Sequence, residues 1–359
     1  MTKTEDRISK YLSMLNMGML FDELSDDYLK KAGVKDIIGG VPVPVNPGED
    51  GELSTLSIAL NMARVIGGDA NYPYADKYLE YIKHICGEDA VKVMVSEGAK
   101  AADGENYEIA CMFFRAALAI DPQSLTALFL YARACKEAYE REAQESCEET
   151  GEKAKMAEEY IGNFKAESME SFELLTMLHP EFDMGYYFLG YAYLNLGLYT
   201  KAQITWETFM KLHRDQTAGS NAASENESVE STEEMKDELI EDIEERLGLL
   251  NEPVVIEQGC NRIMSGDYQG GKAILEPYME GSYSQWWPLY YYLGMAETAL
   301  GNTEDAIARY KQALVYSPSN TDIMAELIGL YQAIGDETGA EKYRKKIEIV
   351  SQNIADETE

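Results

Sequence analysis

Residues Trp287–Asn320 read WPLYYYLGMAETALGNTEDAIARYKQALVYSPSN, and the spacing inside this stretch sets the expected fold. Counting Trp287 as position one, Tyr290 falls at four, Leu293 at seven and Gly294 at eight. Ala306 follows at twenty, Tyr310 at twenty-four, Ala313 at twenty-seven and Pro318 at thirty-two. Apolar residues at four and seven share one face of a first helix, because about 3.6 residues complete a turn. Small residues at eight and twenty let a second, antiparallel helix approach closely, and the aromatic at twenty-four fills the space beside them. Proline at thirty-two ends the second helix.

The same intervals recur elsewhere. From Asp183, Tyr186, Leu189, Gly190, Tyr193, Ala202 and Trp206 take the matching places, with Gly197 and Tyr199 marking the turn. Phe209 and Arg214 depart from it, which predicts looser packing or the end of a block of repeats. From Val91, the places are held by Gly98, Ala110, Phe114, Ala117 and Pro122. Gly98–Ala110, Gly190–Ala202 and Gly294–Ala306 are one interval occurring three times. A weaker copy starts near Glu252, with Gly259, Gly266, Tyr268 and an irregular second helix containing Pro277. A final copy from Thr321 keeps Leu327, Tyr331, Gly335 and Ala340 but has Arg344 at twenty-four, next to Lys345 and Lys346. That polarity suits a solvent-facing cap.

On these residues the chain resembles the tetratricopeptide repeat proteins, without pointing to a particular member. Within that resemblance Glu297 is a departure, since an aromatic is usual at position eleven. The fold class implied is all-α, an α-α superhelix built as a helical-hairpin solenoid, with a helical N-terminal region. One further copy is interrupted: Leu125–Cys135 reads as a first helix and Ser168–Pro180 as the end of its partner. Between them lie about two dozen residues more than the roughly 34-residue period allows, rich in helix formers, with one breaker at Gly151. Two lengthened helices forming a projecting hairpin are expected, serving either as an arm for a partner or as a neutral insertion.

The resulting organisation has four parts. Residues 1–90 form an N-terminal helical region with a Pro/Gly-rich segment, and 91–215 a first block of three repeats, the second extended. Residues 216–234 form an acidic flexible linker, and 235–359 a second block with a linker helix, three repeats and a polar cap. Helices are expected over about Thr4–Leu20, Leu53–Ile66 and Tyr74–Cys86, with VPVPV an extended segment lying on them. The 216–234 stretch lacks large apolar groups and cannot offset its ordering entropy. Met235, Leu239, Ile243, Leu247 and Leu250 then line one helical face. They are either core or an internal ligand of the binding groove, held at high effective concentration by the linker.

Composition narrows the function. Among 359 residues there are 64 acidic against 31 basic, a net charge of −33. Such a field repels phosphate backbones and anionic lipid, so neither nucleic acid nor a membrane surface is the expected partner. It is read as solubility or, more sharply, as preference for a basic partner. The five cysteines, Cys86, Cys111, Cys135, Cys147 and Cys260, are scattered and form no CxxC pair. With no signal-peptide pattern and no long apolar run, this suits a reducing, cytoplasmic setting. The histidines His84, His179 and His213 form no metal-ligand spacing, and no nucleophile-elbow, phosphate-loop or dinucleotide motif appears. Catalytic residues, metal ligands and cofactors are therefore expected to be none.

The resemblance also implies where a ligand would lie. In such repeats, first-helix positions two, five, nine, twelve and thirteen, with six, line a concave groove. Here those places carry Met184, Tyr187, Phe188, Tyr191, Leu194 and Asn195 in one copy, and Pro288, Tyr291, Tyr292, Met295, Thr298 and Ala299 in another. The interrupted copy offers Phe129, Arg133 and Lys136. Mostly aromatic or aliphatic, these positions do not reproduce the carboxylate clamp of some family members. They suit a hydrophobic helix or extended peptide instead, unless neighbouring helices cover them. The expected function is a non-enzymatic adaptor or scaffold, with a peptide-gated switch and a structural homo-oligomer as alternatives.

Overall fold

The computed structural model describes residues 6–45, 54–220 and 230–356, with side chains described except at 216–220, 230–237 and 353–356. The chain forms two compact units, one from 1–197 with 204–226, the other from 198–203 with 227–359.

In the first unit, α6 (Ala90–Asp103) and α7 (Tyr107–Ile120) form a hairpin. Next come α8 (Leu125–Glu145) with α9 (Glu152–Leu178), then α10 (Asp183–Asn195) with α11 (Tyr199–Ser220). A Cβ at Gly98 would sit 2.5 Å from the Phe114 ring, and one at Gly190 only 2.1 Å from Trp206 Nε1. Phe114 is 1 % and Trp206 0 % exposed, so each aromatic fills the space its glycine leaves. Burying such a ring contributes up to about 3 kcal/mol by area, and the indole N–H also donates to Tyr187 O at 3.1 Å. Phe209 is fully buried against Tyr187 and stacks on His213. It fills space rather than loosening this copy, so of the two expectations only the end of a block of repeats remains.

The second unit contains α12 (Glu230–Leu249), α13 (Asn251–Met264) with α14 (Tyr268–Leu275), α15 (Trp287–Ala299) with α16 (Thr303–Tyr316), and α17 (Thr321–Ala333) with α18 (Glu337–Asp356). The glycine-to-bulky interval of the first unit, 98 to 114 and 190 to 206, reappears as 294 to 310 and 259 to 275. A Cβ at Gly294 would meet the Tyr310 ring at 2.9 Å, and one at Gly259 would meet Leu275 at 2.6 Å. In the last hairpin the aromatic slips by one residue. Tyr343, 4 % exposed, stacks on Tyr331, while Arg344 turns outward to Glu337 and Glu341. Glu297, which breaks the aromatic pattern, is 2 % exposed and bonds Lys272 and Asn302, both at 2.7 Å. An ion pair between the buried Glu297 and the half-buried Lys272 thus replaces an apolar contact between neighbouring hairpins.

The turns share one geometry. Position fifteen lies in the left-handed region in every short hairpin: Gly197, Gly266, Gly301 and Gly335 have φ between 70° and 94°. In the copy from Val91 this place is Glu105, with φ 59°, the non-glycine exception among the described residues. In the interrupted copy the helix runs through position fifteen and the left-handed residue is Gly151. The expected pair of long helices is present, but the hairpin is not a bare arm. The short α1 (Ser9–Met14) lies along it, with Tyr11 against Tyr160 and Phe164, and Arg7 2.9 Å from Glu170.

The N-terminal region departs most from expectation. The helix expected over Thr4–Leu20 is reduced to α1; Thr4 itself lies outside the described residues. Just beyond its end, Asn16 donates its side-chain amide to Arg64 O. There follow β1 (Leu20–Glu23), α2 (Asp26–Ala32), α3 (Lys35–Ile38) and β2 (Pro42–Val45), before α4 (Thr55–Gly68) and α5 (Ala75–Cys86). VPVPV is extended as expected, though paired antiparallel with β1 in a two-stranded ladder that a wholly helical reading missed. Gly67 lets α4 dock on α7, since a Cβ there would sit 1.9 Å from Met112 O. One core joins this region to the first hairpin, including Val43, Ile58, Met62, Tyr78, Tyr81 and Met94. The expected 216–234 linker is helical at both margins, to Ser220 and from Glu230; residues 221–229 lie outside the description.

Candidate functional site

The first helices of the hairpins carry the expected groove residues. On α8 and α10 the structure gathers Phe129, Arg133 and Phe188 into one aromatic cluster with Phe172 and Phe182. Phe129 lies 5.2 Å from Phe182 and 5.7 Å from Phe188, and Phe188 stacks on Phe172 at 5.6 Å. The exposed Arg133 guanidinium lies 5.4 Å from the Phe188 ring and 5.8 Å from Phe129. Cation–π contact of this kind contributes about 0.5–1 kcal/mol at an exposed site. Arg133 makes no ion pair among the described residues, so its donors face solvent.

Tyr187 and Tyr191 are half-buried and serve two purposes. Tyr187 packs on Phe209, Phe188 and Tyr191, and Tyr191 packs on Trp206 at 5.0 Å. They are part of the hairpin's own core as well as its surface. Met184 and Leu194 are also half-buried, while Asn195 is exposed and accepts from Lys165 Nζ at 2.8 Å. In the second unit Tyr291 contacts Trp287, Tyr292 and Tyr310, and Met295 is half-buried. Burial raises the phenol pKa of Tyr291 and Tyr292, so both remain neutral hydrogen-bond donors at physiological pH.

A pocket of about 320 Å³ opens between α6 and α8. Its walls are Ala99, Ala102 and Asp103 on α6, Tyr107 and Phe114 on α7, and Leu130, Arg133, Ala134 and Glu137 on α8. Counting from Val91, Ala99, Ala102 and Asp103 are positions nine, twelve and thirteen. Counting from Leu125, Leu130, Arg133 and Glu137 are six, nine and thirteen. Of these lining residues only Arg133 is among the groove positions expected from the sequence; the same position count, applied to the copy from Val91, reaches the α6 wall. The small side chains leave the space, and Tyr107 is held by Arg141, whose guanidinium lies 5.4 Å from its ring.

The stripe on α12 is partly internal: Ile243 is 0 % and Leu250 4 % exposed, and Leu239 and Leu247 are half-buried; Met235 lies outside the described side chains. Cys111 and Cys135 are buried with sulfurs 3.6 Å apart, and burial raises the Cys135 pKa. Among the described residues no group of three or more His, Cys, Asp or Glu side chains could hold a metal ion. No described helix is long and apolar enough to cross a membrane.

From α6 onward the described helices of each unit, α12 apart, pair as antiparallel hairpins, an all-α architecture with the spacing of tetratricopeptide repeats. No protein-family model and no curated protein matches the chain. Among solved structures it is similar to a tetratricopeptide repeat protein from Parabacteroides merdae ATCC 43184, at 13 % identity over 83 % of this chain and 96 % of that one, with a TM-score of 0.30. It is also similar to PilW, a type IV pilus biogenesis factor, at 12 % identity over 73 % and 94 %, with a TM-score of 0.31. MamA from Desulfovibrio magneticus RS-1 aligns at 11 % identity over 73 % and 96 %, with a TM-score of 0.25. At such scores the likenesses carry no argument, and the fold assignment rests on the chain's own glycine–aromatic nesting.

Proposed function

We propose that this protein is a non-enzymatic adaptor or scaffold that holds a hydrophobic helix or extended segment of another protein against the first-helix faces of its hairpins. The observation that carries this reading is the α6–α8 pocket, whose lining residues Ala99, Ala102, Asp103, Leu130, Arg133 and Glu137 occupy the repeat positions expected to face a groove. Beside it, Phe129 and Phe188 offer apolar area under an unpaired guanidinium, so an apolar peptide bearing a hydrogen-bond acceptor fits the surface. The α12 stripe, with Ile243 fully buried, is read as core rather than as an internal groove ligand.

Photo-crosslinking tests this directly. Benzoylphenylalanine placed at Arg133 should trap a defined set of proteins in the native cell, and the same group at Glu149 in the α8–α9 turn should not. Identical products from both positions, or none from Arg133, would refute the groove assignment. Arg133→Glu should weaken capture while changing stability by less than about 1 kcal/mol, because the side chain is exposed.

A further inference from the structure

The two edges of the small β ladder differ in what they leave exposed. Its register pairs Leu20 with Val45, Phe21 with Pro44, Asp22 with Val43 and Glu23 with Pro42. Proline has no N–H, so Pro42 and Pro44 cannot belong to the hydrogen-bonded pairs of an antiparallel ladder. The bonded pairs are therefore Leu20–Val45 and Asp22–Val43, and Phe21 and Glu23 turn their backbone groups away from β2. The outer edge of β2 accordingly offers no N–H, and its Pro42 carbonyl is taken by the Tyr78 hydroxyl at 2.6 Å. One edge is sealed.

The outer edge of β1 is not. All four of its residues are exposed. The Glu23 N–H is met by the Asp22 carboxylate at 2.8 Å, but the Phe21 N–H and C=O have no partner among the described residues. Two of its four residues are exposed apolar groups: Leu20 is 60 % and Phe21 43 % exposed. Asp22 and Glu23 make no ion pair among the described residues.

We propose that the free edge of β1 is a docking site for an extended segment of a partner protein, which adds as a third strand. The segment carries apolar residues beside Leu20 and Phe21, and lysine or arginine beside Asp22 and Glu23. Backbone bonds to Phe21 give affinity, and the side-chain order gives direction. Charge decides against a second copy of this chain as occupant. Self-pairing would set Asp22 and Glu23 beside a strand that carries no basic residue, between molecules each carrying −33.

The test uses the full chain and a fluorescein-labelled octapeptide, Thr-Thr-Lys-Arg-Val-Tyr-Thr-Thr, read by fluorescence anisotropy. Binding is expected, and alternate N-methylation of the peptide should weaken it by about tenfold, the equivalent of two lost backbone hydrogen bonds. Phe21→Pro copies the Pro44 device on the opposite strand, leaving the ladder intact and removing the free donor, and should weaken binding by a similar factor. Asp22→Lys with Glu23→Lys should reverse the preference toward a peptide with glutamate in place of lysine and arginine. Arg133→Glu should bind the octapeptide as the wild type does, which separates this surface from the hairpin groove. Absent binding, equal binding of the N-methylated peptide, or loss only in Arg133→Glu would overturn the proposal. So would self-association of the wild type that Phe21→Pro abolishes, since the occupant would then be a second copy.

Discussion

Replacing Gly190 by alanine puts the nesting of paired helices to a quantitative test. The added methyl would fall 2.1 Å from Trp206 Nε1, 2.3 Å from Cδ1 and 2.6 Å from Cε2. Contact with a fully buried indole cannot be relieved by swinging a side-chain tip aside, so the ring or a helix must move by more than an ångström. Overpacking of this kind costs about 1–3 kcal/mol. Displacing the indole also strains its 3.1 Å bond to Tyr187 O, which contributes about 1 kcal/mol. Alanine returns about 1 kcal/mol through its better helix propensity. The net expectation is destabilisation by about 1–3 kcal/mol, or about 2–12 °C in melting temperature for a unit of this size. Gly162→Ala on α9 is the internal control, because nothing lies within 4 Å of its added methyl. It should gain up to about 1 kcal/mol. Thermal unfolding followed by helical circular dichroism reads both variants. In a Trp206→Ala background the Gly190→Ala penalty should shrink by about 1 kcal/mol or more, because the ring it strikes is gone. If Gly190→Ala melts at or above the wild-type temperature, as Gly162→Ala should, the nesting argument is wrong.

Glu105→Gly should stabilise the chain by about 0.5–1 kcal/mol, since Glu105 occupies a left-handed turn position where the other short hairpins have glycine; a lower urea midpoint would contradict the shared-turn reading. Glu297→Gln should cost about 2 kcal/mol at neutral pH, because it strips the charge from the carboxylate facing Lys272. Burial alone would raise the Glu297 pKa, but the bonds from Lys272 and Asn302 outweigh it and hold the group below its usual 4.5. Its contribution is therefore full above about pH 4.5 and is lost as pH falls through the lower folded value. The gap between wild type and variant should close over that acidic window, and a gap that widens there would refute the assignment.

Legibility in the sequence followed the range of the contacts. Gly98 with Phe114, Gly190 with Trp206 and Gly294 with Tyr310 each join neighbouring helices across one short turn. Their partners therefore lie at a constant separation along the chain, and a period can be seen without coordinates. Two substitutions inside that frame were not legible. Glu297 looked like a flaw until Lys272 of the preceding hairpin was found beside it. Arg344 looked like a lost aromatic until Tyr343 was seen one residue away, on the face that stacks with Tyr331. The pocket was half legible, because Arg133 was named and the α6 wall was not.

From the residues alone came the hairpins, their turn positions, the lengthened pair α8–α9 and the aromatic content of the first-helix faces, all consequences of helical periodicity over about 34 residues. Tertiary structure decided what periodicity cannot encode. Gly67 docks against Met112, α1 lies along α9, and the prolines of VPVPV seal one side of a ladder whose other strand is Leu20–Glu23. Each of these joins segments at irregular separations, where complementary shape and unmet backbone groups select the partner and no repeat announces it.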